Sequence, residues 1–263
     1  MNRVDGFLWK DEPWGRSLRS VTLGARADHL FTTRQLRLRG ERAAEEWALV
    51  AGALGVPPAR LVRVKQVHGR EAIVLREGGP IPPQGDARPR GDILATDDPS
   101  LAVVVQVADC VPVLLAGEGG RVVAAAHAGW RGTCAGAARA AVEALEREFG
   151  VKPAALSAVL GPSIGPCCYT VGEEVRERFE ASRAGAGRWF ERGPDGRLRL
   201  DLWAANAGQL EEAGIPAGSI ATSRLCTACR ADLFHSYRRE GPGVGRVAAG
   251  IRATSPMTSS PPR

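Results

Sequence analysis

Residues 101–116, LAVVVQVADCVPVLLA, and residues 121–133, RVVAAAHAGWRGT, decide the fold. Residues 101–107 and 111–115 are apolar runs of strand length, and 121–126 is a third. Short runs with almost no polar alternation predict strands covered on both faces. Asp109, Cys110 and Pro112 interrupt the first two, which excludes a membrane-spanning helix there. Beyond them, Thr133 reads as the N-cap of a helix over 134–149 that Gly150 and Pro153 stop.

Upstream, Ala43, Ala44, Trp47, Val50, Ala51 and Leu54 recur at helical spacing, and Gly55 ends that run. LVRVKQV (61–67) and residues 72–75 read as strands, and 78–91 as a Gly/Pro-rich loop. Downstream, a strand over 156–160 enters the turn GPSIGPCC. Helices are expected near 171–179 and 202–213, a polar loop over 184–196, and strands over 219–225 and 246–251. The first thirty residues carry few clear signals. The C-terminal stretch 253–263, ending TSPMTSSPPR, is too polar and Pro-rich to pack and is expected to be a disordered tail. Strands and helices mix without strict alternation, and no repeat or linker divides them. The expectation is one α+β catalytic domain over 1–252, with mixed β-sheets flanked by helices.

The 263 residues are 44% hydrophobic and 24% charged, the make-up of an ordinary globular chain, with a net charge of +6. Arginine is spread along the chain and interleaved with acids. No basic stripe, RNP-type motif or finger spacing is present, so no nucleic-acid partner is expected. The start, MNRVDGFLWKDEPWGRS, has acids and tryptophans where an export signal needs an apolar core. Its six cysteines are therefore expected as thiols or metal ligands in a cytoplasmic monomer that meets no membrane.

Two of the four histidines sit in matching contexts. His68 ends LVRVKQVH, His127 ends RVVAAAH, and Cys110 ends LAVVVQVADC. Strand ends converge at a sheet edge, so these three can meet although distant in sequence. Two imidazoles and a thiolate form a three-ligand set for Zn²⁺ with the fourth position open, as a catalytic site requires. Copper fits the same ligand types. A metal-free pair, with Cys110 as nucleophile and His127 as base, is the other chemical reading. HAGWRG adds a glycine-rich approach to a helix N-terminus, which favours anions, and Arg131 adds a fork suited to phosphate or carboxylate. Asp109 either orients a ligand, accepts a proton or caps a turn. GPSIGPCCYTVGEEV is a rigid candidate for a pocket wall, and Tyr237, Arg238 and Arg239 are candidates to border it. The adjacent Cys167 and Cys168 read as structural. Cys226-x-x-Cys229 with His235 resembles half of a zinc site, to which only His29 or the Cys167/Cys168 pair could contribute; with no second Cys-x-x-Cys to complete it, the simpler reading is a buried loop ahead of FHSYRR.

The segments KQVHG (65–69), ADCVPVLLA (108–116), AAAHAGWRGT (124–133), LGPSIGPCCYTVGEEV (160–175), LDLWAAN (200–206) and LCTACRADLFHSYRREG (225–241) stand in the order found in the YfiH-like family. That family was long called polyphenol oxidase or laccase-domain proteins and has been reassigned as purine nucleoside phosphorylases. The resemblance spans roughly 31–251. It implies a single α+β domain similar to the cysteine-hydrolase-like toxin fold, and a zinc site on His68, Cys110 and His127. It implies phosphorolysis of adenosine, inosine and S-methyl-5′-thioadenosine, with adenosine deamination in addition, so nucleosides and phosphate are the expected partners. Arg34 matches the arginine of the FTTR motif and is a candidate phosphate contact beside Arg131. After FTTR the chain runs almost directly into a helix, without the family's glycine-rich stretch, which implies a shortened pocket wall. Competing readings are a metal-dependent amidase that edits a cell-wall precursor, copper-dependent phenol oxidation, against which a complement of four histidines argues, and a non-catalytic binding module in which the three ligand-type residues meet by coincidence.

Overall fold

The computed structural model describes residues 3–254. Two sheets are stacked between helices. The larger has seven strands in the spatial order Arg3–Val4, Phe7–Glu12, Gly15–Ser20, Asp28–Thr32, Val247–Arg252, Ala102–Val107 and Leu61–Arg63. The smaller has six, in the order Ile220–Thr222, Ser157–Leu160, Val111–Ala116, Val123–Ala128, Ile93–Thr96 and Ala72–Leu75. Most pairs are antiparallel. Parallel pairing occurs between Leu61–Arg63 and Ala102–Val107, between Ala72–Leu75 and Ile93–Thr96, and between Ser157–Leu160 and Ile220–Thr222. The expected single α+β unit with mixed sheets is therefore present.

Alternate residues of each central strand face opposite layers. Val103, Val105 and Val107 meet Leu94, Leu114, Val123 and Ala125 between the sheets. Ala102 and Val104 face the other way, against Trp47, Val50 and Leu54 on and beside the helix Ala43–Ala53. On the far side, Val113, Leu115, Ala124 and Ala126 pack under the helices Ala137–Phe149, Glu173–Ser182 and Leu202–Glu212. Both faces of these strands are covered, which is why their sequences lack polar alternation. Leu36 and Leu38, in the short connection after FTTR, join the outer core beneath Ala43–Ala53.

Several expectations are corrected. The helix expected over 134–149 is two helices, Trp130–Ala135 and Ala137–Phe149, separated by Gly136 at φ +85°. Gly129, not Thr133, is the first N-cap. Thr133 lies inside the first helix, fully buried, where its hydroxyl accepts from Asn206 Nδ2 at 3.0 Å and its carbonyl from Gln209 Nε2 at 2.7 Å. It therefore ties two helices together. The signal-poor N-terminus forms the hairpin Phe7–Glu12 with Gly15–Ser20, followed by the strand Asp28–Thr32. The expected polar loop over 184–196 contains a strand, Phe190–Arg192, paired with Leu198–Leu200. At the C-terminus Ala253 is buried and the Thr254 N–H donates to the Gly120 carbonyl at 2.9 Å, so packed chain extends past the expected start of the tail. Residues 255–263 lie outside the described residues. No helix among the described residues is long and apolar enough to cross a membrane.

One connection matters most. Ala102–Val107 belongs to the larger sheet and Val111–Ala116 to the smaller, so residues 108–110 carry the chain from one sheet to the other.

Candidate metal centre

The sheet crossover presents Cys110. Asp109 beside it adopts φ +86°, a left-handed conformation tolerated here because its carboxylate is fully engaged. One oxygen accepts from Thr227 Oγ1 at 2.6 Å and the other from the Arg238 N–H at 2.6 Å. Its main-chain carbonyl accepts from the Ile164 N–H at 2.9 Å. These bonds make Asp109 a clamp that draws neighbouring segments onto the crossover, and it also lines the cavity onto which the centre opens.

His127 is the penultimate residue of Val123–Ala128 and is buried, while His68 is exposed in a turn five residues past Leu61–Arg63, at φ +62°. Only His127 is on a strand; the expectation that all three end strands is corrected for His68 and Cys110, which both sit in turns. The side chains nonetheless converge. The candidate ligand atoms of His68, Cys110 and His127 lie within 4.8 Å of one another, and the two imidazole rings meet edge to face at 4.8 Å.

Asp92 holds this arrangement. It is fully buried, just before the strand Ile93–Thr96. Its Oδ1 accepts from the His68 N–H at 2.9 Å, and its Oδ2 from the N–H groups of Gly69 at 2.7 Å and Val67 at 3.2 Å. Oδ1 also lies 2.8 Å from His127 Nδ1. One carboxylate thus folds the His68 turn and keeps the proton of His127 on Nδ1, leaving Nε2 as the ligand atom, as in the carboxylate–histidine–metal relay. Sequence reasoning missed Asp92, because an acid ahead of an apolar strand reads as turn chemistry. The Gln66 side chain adds a two-way bond to the Gln106 main chain, at 2.9 Å each way.

Gly129 leaves the room. A Cβ there would stand 2.8 Å from Cys110 Sγ and 3.3 Å from His68 Cδ2. The donor set, its convergence and the carboxylate behind His127 all suit a tetrahedral ion with an open position.

Charge follows the same geometry. Burial opposes ionisation of Cys110, but His127 and His68 bring its thiol down to about 6. Burial also disfavours charge on His127, yet the Cys110 thiolate and Asp92 raise it to about 9. Burial would lift the Asp92 carboxyl, but His127 and the turn N–H groups hold it below its ordinary range. The protein alone therefore forms a thiolate–imidazolium pair.

The centre opens into a cavity of about 640 Å³. Its lining includes Trp130, Tyr169 and Tyr237, five cations (Lys65, Arg88, Arg131, Arg238 and Arg246) and one carboxylate, Asp109. Arg131 stacks on Trp130 at 4.3 Å and makes no ion pair among the described residues. Arg238 stacks on Tyr169 at 5.1 Å and donates to the Thr170 carbonyl at 2.8 Å. The turn carrying Tyr169 is thus a pocket wall, and Tyr237 and Arg238 border the cavity. Arg239 instead turns away to the carbonyls of Thr227, Ala228 and Phe234. Arg34 is not brought to this cavity. Its guanidinium bonds to the Ala231 carbonyl and pairs with Glu240 at 3.5 Å. His29 and His235 are also elsewhere. His29 is buried between the Ser20 N–H and the Ala27 carbonyl, and His235 bonds the Leu36 carbonyl.

Fold and site define a protein with a His–Cys–His cluster that could hold a metal ion, set against a basic, aromatic cavity at a sheet crossover. The chain belongs to the YfiH-like family, whose model, described as multi-copper polyphenol oxidoreductase laccase, matches residues 36–254. A purine nucleoside phosphorylase of Bacteroides thetaiotaomicron is 39% identical over 161 residues, 61% of this chain and 60% of that protein. Purine nucleoside phosphorylase YlmD of Geobacillus stearothermophilus is 34% identical over 228 residues, 85% of this chain and 81% of that one. The crystal structure of YlmD from that organism superposes with a TM-score of 0.85 at 28% identity, covering 95% of this chain and all of that one. Adenosine deaminase RL5, from an unknown prokaryotic organism, is 37% identical over 206 residues, covering 77% of this chain and 78% of that protein.

Proposed function

We propose that this protein is a zinc-dependent purine nucleoside phosphorylase acting on adenosine, inosine and S-methyl-5′-thioadenosine, with adenosine deaminase activity. The observation that carries the reading is one cavity in which the His68–Cys110–His127 set faces aromatic rings and an unpaired arginine. The names of the relatives, phosphorylase and deaminase, support it. When bound, zinc supplies Lewis acidity and a water nucleophile at neutral pH, which deamination needs.

The chain's own groups supply the rest. Arg131, held flat by Trp130, offers a bidentate fork to phosphate, and Arg238 and Arg246 add positive charge along the same wall. Trp130, Tyr169 and Tyr237 offer faces to a purine. Asp92 holds the proton on His127 Nδ1, so the ligand geometry is set before substrate arrives. We read the chain as acting in the cytoplasm as a monomer. Copper-dependent phenol oxidation finds less support. Two of the four histidines are bonded elsewhere, which leaves too few for a multicopper assembly.

Metal-replete protein incubated with adenosine, with and without phosphate, tests the assignment. Adenine with ribose 1-phosphate, formed only when phosphate is present, is the expected product of the first reaction, and inosine that of the second. Absence of both, with turnover of amino-sugar peptides, would transfer the assignment to the amidase reading.

A further inference from the structure

The adjacent pair Cys167–Cys168 and the motif Cys226-x-x-Cys229 are 58 to 62 residues apart in the chain and meet in space. All four sulfurs lie within 4.8 Å of one another. Cys229 Sγ is 3.5 Å from Cys167 Sγ and 3.4 Å from Cys168 Sγ. A tetrahedral ion with bonds of about 2.3 Å to sulfur sets its ligands about 3.8 Å apart, which these distances approach. A disulfide needs sulfurs at about 2.0 Å and a single partner, whereas Cys229 stands nearly equidistant from two. The Gly165 N–H donates to Cys226 Sγ at 3.3 Å, the kind of main-chain bond that orients a thiolate ligand. His235, grouped with the motif in the sequence, and His29, one of its two candidate complements, take no part.

We propose that Cys167, Cys168, Cys226 and Cys229 bind one Zn²⁺ ion as a closed four-thiolate structural site, separate from the centre on His68, Cys110 and His127. Residues 223–236 contain no helix and no named strand, a length at which irregular chain needs a tether. Between their main chain and that of the turn over 161–171 runs a parallel bridge, with Ser163 N–H to Leu225 O at 3.3 Å and Thr227 N–H to Ser163 O at 3.1 Å, beside the Gly165 N–H bond to Cys226 Sγ. An ion on the four thiolates would clamp both segments. It would also brace the cavity: Tyr169 follows Cys168, and Thr227, inside the Cys-x-x-Cys motif, donates to Asp109 beside Cys110.

The test is metal analysis of the full chain, purified under reducing conditions without chelator. Wild type is expected to carry two zinc ions per chain, and Cys110→Ser to keep one. The Cys226→Ser/Cys229→Ser double variant is expected to lose the second. Cobalt in the Cys110→Ser chain should show the strong sulfur-to-metal absorption of four thiolates, and native alkylation should spare these four cysteines until a chelator is added. A Cys110→Ser chain that folds but holds no zinc overturns the proposal without touching the nucleoside assignment. So does a disulfide at Cys229 in the reduced preparation, or iron in place of zinc on these sulfurs.

Discussion

Gly129→Ala isolates the geometry of the metal centre from everything around it. Gly129 has φ −72° and ψ 175°, which alanine adopts freely, so no backbone strain is introduced. The new methyl would stand 2.8 Å from Cys110 Sγ. Contacts of this kind settle at about 3.5–4.0 Å, so the sulfur must retreat by roughly 0.7–1.2 Å. Metal–ligand distances tolerate about 0.2 Å. Changing a group behind a ligand already weakens metal binding about 10–100-fold, so displacing a ligand should reach at least about 100-fold. Overpacking costs about 1–3 kcal/mol, and alanine is also a poorer N-cap than glycine. At about 2–4 °C per kcal/mol, the metal-free variant should melt roughly 2–12 °C below wild type. Competition against a chromophoric zinc chelator reads the first quantity and thermal melting the second. A Gly129→Ala chain that holds zinc within about threefold of wild type would refute the placement of Cys110 Sγ and His68 around one ion.

Asp92→Asn should weaken zinc binding about 10–100-fold, because an amide keeps one acceptor oxygen and loses either the Gly69 and Val67 N–H bonds or those of the His68 N–H and His127 Nδ1; chelator competition measures it. Zinc needs the Cys110 thiolate and neutral His127, so this pair should release one proton on binding between about pH 6 and 9, from His127, and a second below about 6. Affinity from the pair should then rise about tenfold per pH unit between those limits and flatten above 9, which calorimetry in buffers of different ionisation heat will show. In the metal-free chain the raised His127 contributes stability that is lost as pH climbs through about 9. The lowered Cys110 contributes stability that is lost as pH falls through about 6, so in Cys110→Ala melting temperature plotted against pH should lose the acid-side feature and show the His127 feature at lower pH, since Asp92 remains. Arg131→Ala should raise the phosphate KM by about tenfold or more with little change in melting temperature, since the side chain bonds no protein group among the described residues.

The central strands were legible because burial on both faces leaves a run such as LAVVVQV with nothing polar to place. The N-terminal hairpin was not, because it lies toward a sheet edge and Trp9, Lys10, Asp11 and Glu12 are all partly or fully exposed. His68, Cys110 and His127 were found by a rule that was right about convergence and wrong about cause. Two of them sit in turns, one folded by Asp92 and the other by the sheet crossover. Asp92 leaves no mark in the sequence, since its four partners gather only when three strands are in place. Arg34 carried a family signal, yet its guanidinium is drawn to Ala231 and Glu240, away from the cavity. The Cys167/Cys168 pair and the Cys-x-x-Cys motif were each visible, but their meeting depends on a loop that local propensity does not specify.

The His68 turn is held through main-chain N–H groups of Val67, His68 and Gly69, all anchored to one carboxylate. Every residue type but proline carries that donor, so the turn keeps its shape whatever side chains stand at its rim. Lys65, which lines the cavity, has an exposed side chain that this anchoring does not use. The rim of the cavity on this side can thus be re-lettered for new substrates over generations while the His68 imidazole stays where it is.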